Sequence, residues 1–117
     1  MRVTLIAIGK TKAGPERALF EHYAARLRWP LTLTELETKK NHPSVETRQA
    51  AEAELLSKAI PQGALVVALD ERGKQFTSRE WAAQITQFQD SGERELAIII
   101  GGADGLDDRL RKQARLL

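Results

Sequence analysis

The sequence of 117 residues has no cysteine and only two histidines. Without cysteine, disulfide bonds and thiolate zinc sites are excluded. His22 and His42 alone are too few for a metal cluster, so we expect no bound metal. Residues 1–4 lack the apolar core of a signal peptide, and no apolar run approaches the roughly 20 residues that span a bilayer. These absences favour a cytoplasmic protein without membrane contact.

An excess of charge of one sign is also lacking, because 18 basic residues stand against 16 acidic ones, a net charge of +2. This balance leaves two interpretations open. The basic side chains that fall in predicted loops and helix ends form either an ordinary solvated surface or a contact for an anionic partner such as RNA. The length supports a single domain, residues 1–117, with a modest hydrophobic core.

Apolar runs alternate with amphipathic segments along the whole chain. The runs predict strands over residues 3–8, 31–37, 64–69 and 95–100, and the segments predict helices over residues 15–28, 44–60, 77–90 and from 107 onward. This order, with continuous apolar central strands, predicts an α/β fold in which a mostly parallel Rossmann-like sheet carries helices on both faces. Residues 31–37 alternate strictly between two faces and fit an exposed or edge strand.

The helices carry their own start signals and apolar faces. Ser44 and Asp107 can each cap a helix, and Thr77 with Glu80 has the spacing of a capping box. Side chains at helical spacing predict the buried face of each helix in turn: Leu19, Phe20, Tyr23 and Leu27; Ala51, Leu55, Leu56 and Ala59; Trp81, Ala82, Ile85 and Phe88; and Leu110, Ala114 and Leu117.

Two loops follow buried strands and are the places where chemistry is expected, since ligands of such sheets sit beyond the carboxyl ends of the strands. One loop is residues 69–74 (LDERGK), and the other is residues 101–105 (GGADG), called the glycine turn below. Glycine leaves room for a ligand to approach the backbone. The alternative is a tight strand-to-helix connection that binds nothing. Neither loop matches G-x-G-x-x-G or the G-x-x-x-x-G-K-[ST] phosphate loop.

Single titratable residues give weaker signals. Asp70 and Asp104 follow strands, where a carboxylate can bind a metal or act as a base, but an acidic residue in a turn is more often a cap. His22 fits a surface position and His42 a loop, and neither is assigned a catalytic role.

Several motifs, read in order, resemble the RlmH family, the small SPOUT-superfamily methyltransferases of bacterial large-subunit ribosomal RNA. The resemblance spans essentially the whole chain. The motifs that carry it are residues 6–12 (IAIGKTK), Tyr23 with Arg26 and Leu27, residues 69–74 with 77–80 (TSRE), and residues 99–106 (IIGGADGL).

This resemblance implies an S-adenosylmethionine-dependent enzyme that methylates N3 of a pseudouridine in 23S rRNA, acting on the assembled ribosome as a homodimer. It implies a cofactor pocket that uses Leu69 and Gly102, with Gly101 and Gly105 shaping the same turn. No catalytic residue can be assigned from it. Lys10, Arg72 and Lys74 are the predicted phosphate contacts, because they are basic residues in predicted loops.

The resemblance also contains a departure. Members of the family continue beyond the helix that begins near Asp107, with a strand, a loop around the methionine moiety and a helix that together form a trefoil knot and much of the dimer contact. This sequence has no such segment, so the expectation is a C-terminally truncated SPOUT-like domain. Two alternatives stay open: an inactive form with only weak ribosome binding or self-association, and an unrelated doubly wound module that binds a nucleotide.

Overall fold

The computed structural model describes residues 1–10, 13–38 and 42–115. Within these ranges four strands alternate with four helices, in the order predicted from the sequence. The elements are β1 (Arg2–Ile8), α1 (Pro15–Ala24), β2 (Leu31–Leu36), α2 (Val45–Ala59), β3 (Leu65–Leu69), α3 (Ser78–Asp90), β4 (Glu95–Ile100) and α4 (Asp108–Gln113).

The strands of the described ranges form one parallel sheet in the order β2-β1-β4-β3. This confirms the predicted α/β class and places β2 at an edge, as its alternating sequence indicated. Ile100 of β4 lies beside Ala7 of β1 on one side and beside Leu69 of β3 on the other. The carboxyl ends of these three strands therefore meet at one edge of the sheet. On the outer side of β3, the amide of Arg115 donates to the carbonyl of Val66 at 2.8 Å.

Helices cover both faces of the sheet, as predicted. On one face, α2 and α4 pack Leu56 and Leu110 against Ile6 and Ile99, all four with almost no exposed surface. The opposite face carries α3, whose buried residues contact the other side of the same strands. That second cluster contains Phe88, Trp81 and Ile85 with Val3, Val67 and Leu96. The strands alternate their side chains between the two clusters, so β4 is covered from both sides.

The predicted caps are all present. The Ser44 hydroxyl accepts from the Thr47 amide at 3.1 Å, and the Asp107 carboxylate accepts from the Arg109 amide at 2.8 Å. Thr77 forms the predicted capping box, because its hydroxyl accepts from the Glu80 amide while the Glu80 carboxylate accepts from the Thr77 amide. Local side-chain chemistry therefore fixes where these helices begin.

The first and last helices are shorter than predicted. α1 ends at Ala24, where the Arg26 amide turns to the Tyr23 carbonyl, and Pro30 disfavours helix further on. The expected apolar face is therefore only partly realised, with Leu19 and Tyr23 58% and 60% exposed. α4 ends at Gln113 because Ala114 is extended. Leu117, predicted on the α4 face, and residues 11–12 of the first motif lie outside the described residues.

No helix in the described ranges has the length and apolar character that a bilayer-crossing segment requires.

Candidate functional site

The two loops singled out in the sequence lie side by side. Leu69 pairs with Ile100 across β3 and β4, and the glycine turn begins at the next residue. The structure thus brings Leu69 next to the strand that leads into Gly101 and Gly102. Leu69 ends β3 with 50% of its surface exposed.

The glycine turn closes on itself through its backbone. The Gly105 amide donates to the Gly102 carbonyl at 3.0 Å, and the two residues form an isolated bridge. Gly105 has a φ of 80°, in the left-handed region that side chains with a Cβ rarely adopt. Glycine at 105 is therefore required by backbone conformation.

At the other two glycines the requirement comes from packing. A Cβ at Gly101 would lie 2.9 Å from the carbonyl carbon of Gly105. A Cβ at Gly102 would lie 2.9 Å from Oε2 of Glu52 and 3.2 Å from Cγ2 of Ile8. The space that a side chain would need is thus filled by the chain itself. Close packing of the turn explains these glycines without a ligand on that side.

A half-open cavity of about 360 Å³ lies at the tip of β3. This volume falls in the range of small-molecule sites. Leu69, Lys74, Phe76 and Trp81 are among the residues that line it, whereas the three glycines of the turn do not. Of the predicted cofactor residues, only Leu69 faces the cavity, and the glycine turn lies on the neighbouring strand tip.

Asp70, which follows β3, forms an ion pair with Arg111 of α4. Arg111 donates to both carboxylate oxygens of Asp70, Nε to Oδ2 at 3.1 Å and Nη2 to Oδ1 at 3.2 Å. The Asp70 side chain is 2% exposed, and it also accepts from the Arg72 amide. The hydrogen bonds that Arg111 donates to Asp70 are the largest cause that raises the pKa of Arg111. Asp70 therefore holds α4 to the β3 tip and is not free to ligate a metal.

The second aspartate is engaged from α2. Nε of Arg48 donates to Oδ2 of Asp104 at 2.6 Å, and the Gln49 side-chain amide donates to the backbone carbonyl of Asp104 at 2.5 Å. The Asp104 side chain is mostly buried. Asp70 and Asp104, which the sequence offered as possible bases or metal ligands, are thus each engaged in an ion pair with an arginine.

Glu52 belongs to the site but was not identified from the sequence, which placed the apolar face of α2 on other residues. It is 7% exposed, and its Oε1 has no hydrogen-bond partner among the described residues. Burial, followed by repulsion from Asp104, raises its pKa, whereas Arg48 and His42 act in the opposite direction. The signal that could have found it is spacing, because position 52 lies one helical turn before the fully buried Leu56.

His42 contributes a second buried polar atom near this cluster. Its Nε2 has no hydrogen-bond partner within the described part of the chain. The structure places His22 elsewhere, on the exposed surface of α1 beside Tyr23.

The three basic residues predicted to contact phosphate are exposed at the carboxyl edge of the sheet. Lys10 follows β1, and Arg72 and Lys74 lie in the loop that follows β3. The Lys74 ammonium lies 5.5 Å from the centre of the Phe76 ring. The loops after β1 and β3 flank the tip of β4 on its two sides.

Comparison with known proteins defines the class. A family model described as "Predicted SPOUT methyltransferase" matches residues 1–117. The match covers the whole chain and agrees with the parallel α/β sheet of the structure. The chain belongs to the SPOUT methyltransferases.

Individual relatives identify the family within this class. The chain is 45% identical over 117 residues to the ribosomal RNA large subunit methyltransferase H of Rhodospirillum centenum and to that of Paramagnetospirillum magneticum, in each case covering 100% of this chain and 76% of the relative. It is 41% identical over 122 positions to the protein of the same name from Ruegeria pomeroyi, covering 97% of this chain and 75% of the relative. Within the class, the family is ribosomal RNA large subunit methyltransferase H, as the sequence motifs indicated.

Replacing Arg111 with alanine tests the anchor at the β3 tip. The variant leaves the buried Asp70 carboxylate without its bidentate partner, so we expect the free energy of unfolding to fall by about 3 kcal/mol. Urea denaturation followed by circular dichroism measures this. Arg109→Ala is the matched control on the same helix; its side chain is exposed, and its removal should change stability by less than about 0.5 kcal/mol. Equal losses in the two variants would contradict the assignment.

Glu52→Gln tests the buried carboxyl by its pH dependence. Because the native pKa of Glu52 is raised above its ordinary value of 4.5, the native state holds the proton more firmly than the unfolded state. Stability from this group is therefore complete below pH 4.5 and is lost as pH rises through the native pKa. The glutamine variant should thus be more stable than the wild type at neutral pH, and the gap should shrink towards acid.

Thermal unfolding between acid and neutral pH measures that gap. The exposed Glu54 on the same helix supplies the control, since Glu54→Gln removes a carboxylate that is accessible to water. A gap between wild type and Glu52→Gln that stays constant with pH would show that Glu52 does not titrate differently on folding.

Proposed function

We propose that this protein is an S-adenosylmethionine-dependent methyltransferase that methylates N3 of a pseudouridine in 23S ribosomal RNA. The observation that carries the proposal is 45% identity, over all 117 residues, to relatives named ribosomal RNA large subunit methyltransferase H. The adjacent tips of β3 and β4 support it, because they lie where ligands of parallel α/β sheets bind.

Leu69 and the glycine turn would hold the methyl donor. The half-exposed Leu69 side chain beside a cavity of about 360 Å³ fits the apolar parts of such a molecule, since covering it removes apolar surface from water. The backbone of Gly101, Gly102 and Gly105 would supply the second contact from the neighbouring strand tip. The side of Gly102 that faces Glu52 is filled, so a ligand would approach the turn from another side.

The reaction requires a methyl donor, an acceptor nitrogen and a route for one proton. When bound, S-adenosylmethionine would supply an electrophilic methyl group to N3, and N3 would have to give up its proton to a base or to water. Asp70 and Asp104 are both held by arginines, so the geometry supports neither as the acceptor of that proton. We therefore assign these residues to the shape of the site and leave the proton acceptor unassigned.

Lys10, Arg72 and Lys74 are proposed as contacts to the phosphates of the ribosomal RNA. All three are exposed, and they stand on the loops that flank the β4 tip. This arrangement would place anionic RNA against the same edge that holds the methyl donor. The assembled ribosome as substrate, a cytoplasmic location and a homodimeric assembly belong to the same proposal.

Isothermal titration calorimetry with S-adenosylmethionine tests the donor site. We expect the wild-type chain to bind, and we expect Leu69→Ser to weaken binding roughly tenfold because part of the apolar contact is lost. Leu19→Ser is the control, since Leu19 is similarly exposed but lies on α1. Transfer of labelled methyl groups to ribosomes that lack the modification, followed by mapping of the modified base, tests the substrate. Failure of the wild type to bind the donor would contradict the proposal.

Salt dependence tests the phosphate contacts. Association with ribosomes should weaken as salt rises, and replacement of Lys10, Arg72 or Lys74 with alanine should each lower the slope of log affinity against log salt by about 1. Lys58→Ala, on the exposed side of α2, should leave the slope unchanged. Association that is indifferent to ionic strength would argue against these contacts.

A further inference from the structure

Helix α2 contains none of the predicted donor contacts, but its side chains hydrogen-bond to the glycine turn. Arg48 and Gln49 of α2 both reach Asp104, one at the carboxylate and the other at the backbone carbonyl, with distances of 2.6 and 2.5 Å. The peptide that joins Asp104 to Gly105 is therefore held on both sides, because its carbonyl accepts from Gln49 and its N–H donates to the Gly102 carbonyl. Together the two bonds fix both the side chain and the peptide of the residue just before Gly105.

A third contact from the same helix holds the other end of the turn. Glu52 lies four residues after Arg48 and therefore on the same side of α2. Its carboxyl packs against Gly102 so closely that a Cβ there would approach its two oxygens to 2.9 and 3.0 Å. The helix thus contacts both Gly102 and Asp104, the first and third residues of the four-residue segment 102–105 that the Gly105 amide closes.

Arg48 is the side chain that balances the negative charges between α2 and the glycine turn. Asp104 and Glu52 are both acidic and repel each other, and Arg48 attracts both, while His42 faces Glu52 from the segment before α2. Without Arg48, two acidic groups would face each other at the turn with less positive charge to hold them. The turn would then be pushed away from α2.

We propose that Arg48 and Gln49 are positioning residues for the methyl-donor site, which act by holding Asp104 so that the glycine turn keeps the form that receives the donor. The inference rests on the proposed function for the identity of the ligand. It goes beyond it by giving a role to α2, whose side chains contact the turn and not the cavity beside Leu69.

The decisive variant is Arg48→Ala, studied in the whole chain. Arg48 is partly exposed, so its ion pair contributes little to global stability, and the variant should unfold at nearly the wild-type temperature. The amide of Gly105 should exchange with deuterium roughly tenfold faster, because the bond to the Gly102 carbonyl opens more often. Calorimetry with S-adenosylmethionine should give a dissociation constant roughly tenfold higher.

Three further variants separate positioning from general loss of structure. Lys58→Ala also removes an ion pair from α2, to Glu54, but does not touch the turn, so exchange and affinity should both stay at wild-type values. Arg48→Lys keeps the positive charge and should recover most of the affinity. Gln49→Ala should weaken binding as Arg48→Ala does, because it frees the Asp104 carbonyl.

The outcomes are distinct. Unchanged exchange at Gly105 in Arg48→Ala, or faster exchange with unchanged donor affinity, would overturn the positioning role while leaving the proposed function intact. A wild-type chain that does not bind S-adenosylmethionine would count against the proposed function. In that event the exchange measurement, which needs no ligand, still decides whether α2 holds the turn.

Discussion

Parallel pairing of β4 with both β1 and β3 is the constraint on which the rest of the structure depends. It brings three strand ends to one edge and buries β4 between two layers of helices. Every residue with a proposed role lies in the loops at that edge or on the helices that reach it. Because the loops leave the sheet at neighbouring points, strand pairing alone brings residues that are far apart in sequence close together.

Charge pairs then fix what the sheet has brought together. Asp70 at the β3 tip is held by Arg111 of α4, and Asp104 of the glycine turn is held by Arg48 of α2. Both helices lie on the same face of the sheet, so the two tips are anchored from one side. The Arg111 guanidinium also lies near Gly105, because a Cβ built at Gly105 would be 3.4 Å from Nη2 of Arg111. Arg111 therefore contacts both the β3 tip and the glycine turn. The opposite side of the β3 tip is left for the cavity beside Leu69.

Local sequence predicted much of this architecture, and long-range pairing explains what it missed. The caps at Ser44, Thr77 and Asp107 and the apolar runs of β3 and β4 depend on neighbours within a few residues, so their interpretation needed no tertiary information. The partners of Asp70 and Asp104 stand 41 and 56 residues away, and only the topology brings them close. The placement of Leu69 and the glycines at strand ends was predictable because strand ends are recognisable in sequence, and their role in binding stays a prediction. Glu52 was missed because the buried face of α2 was predicted on other residues.

Two features that cost stability lie at the carboxyl edge of the sheet. At the carboxyl edge Glu52 is buried with an oxygen that has no partner among the described residues, and Leu69 is half exposed. At the amino edge Arg2 forms an ion pair with Glu95, and the Val3 amide donates to the Pro30 carbonyl. A fold selected for stability alone would gain by replacing Glu52 with an uncharged side chain. Its position beneath the glycine turn is instead accounted for if the edge is shaped to bind, because binding sites are where folds keep groups that cost stability.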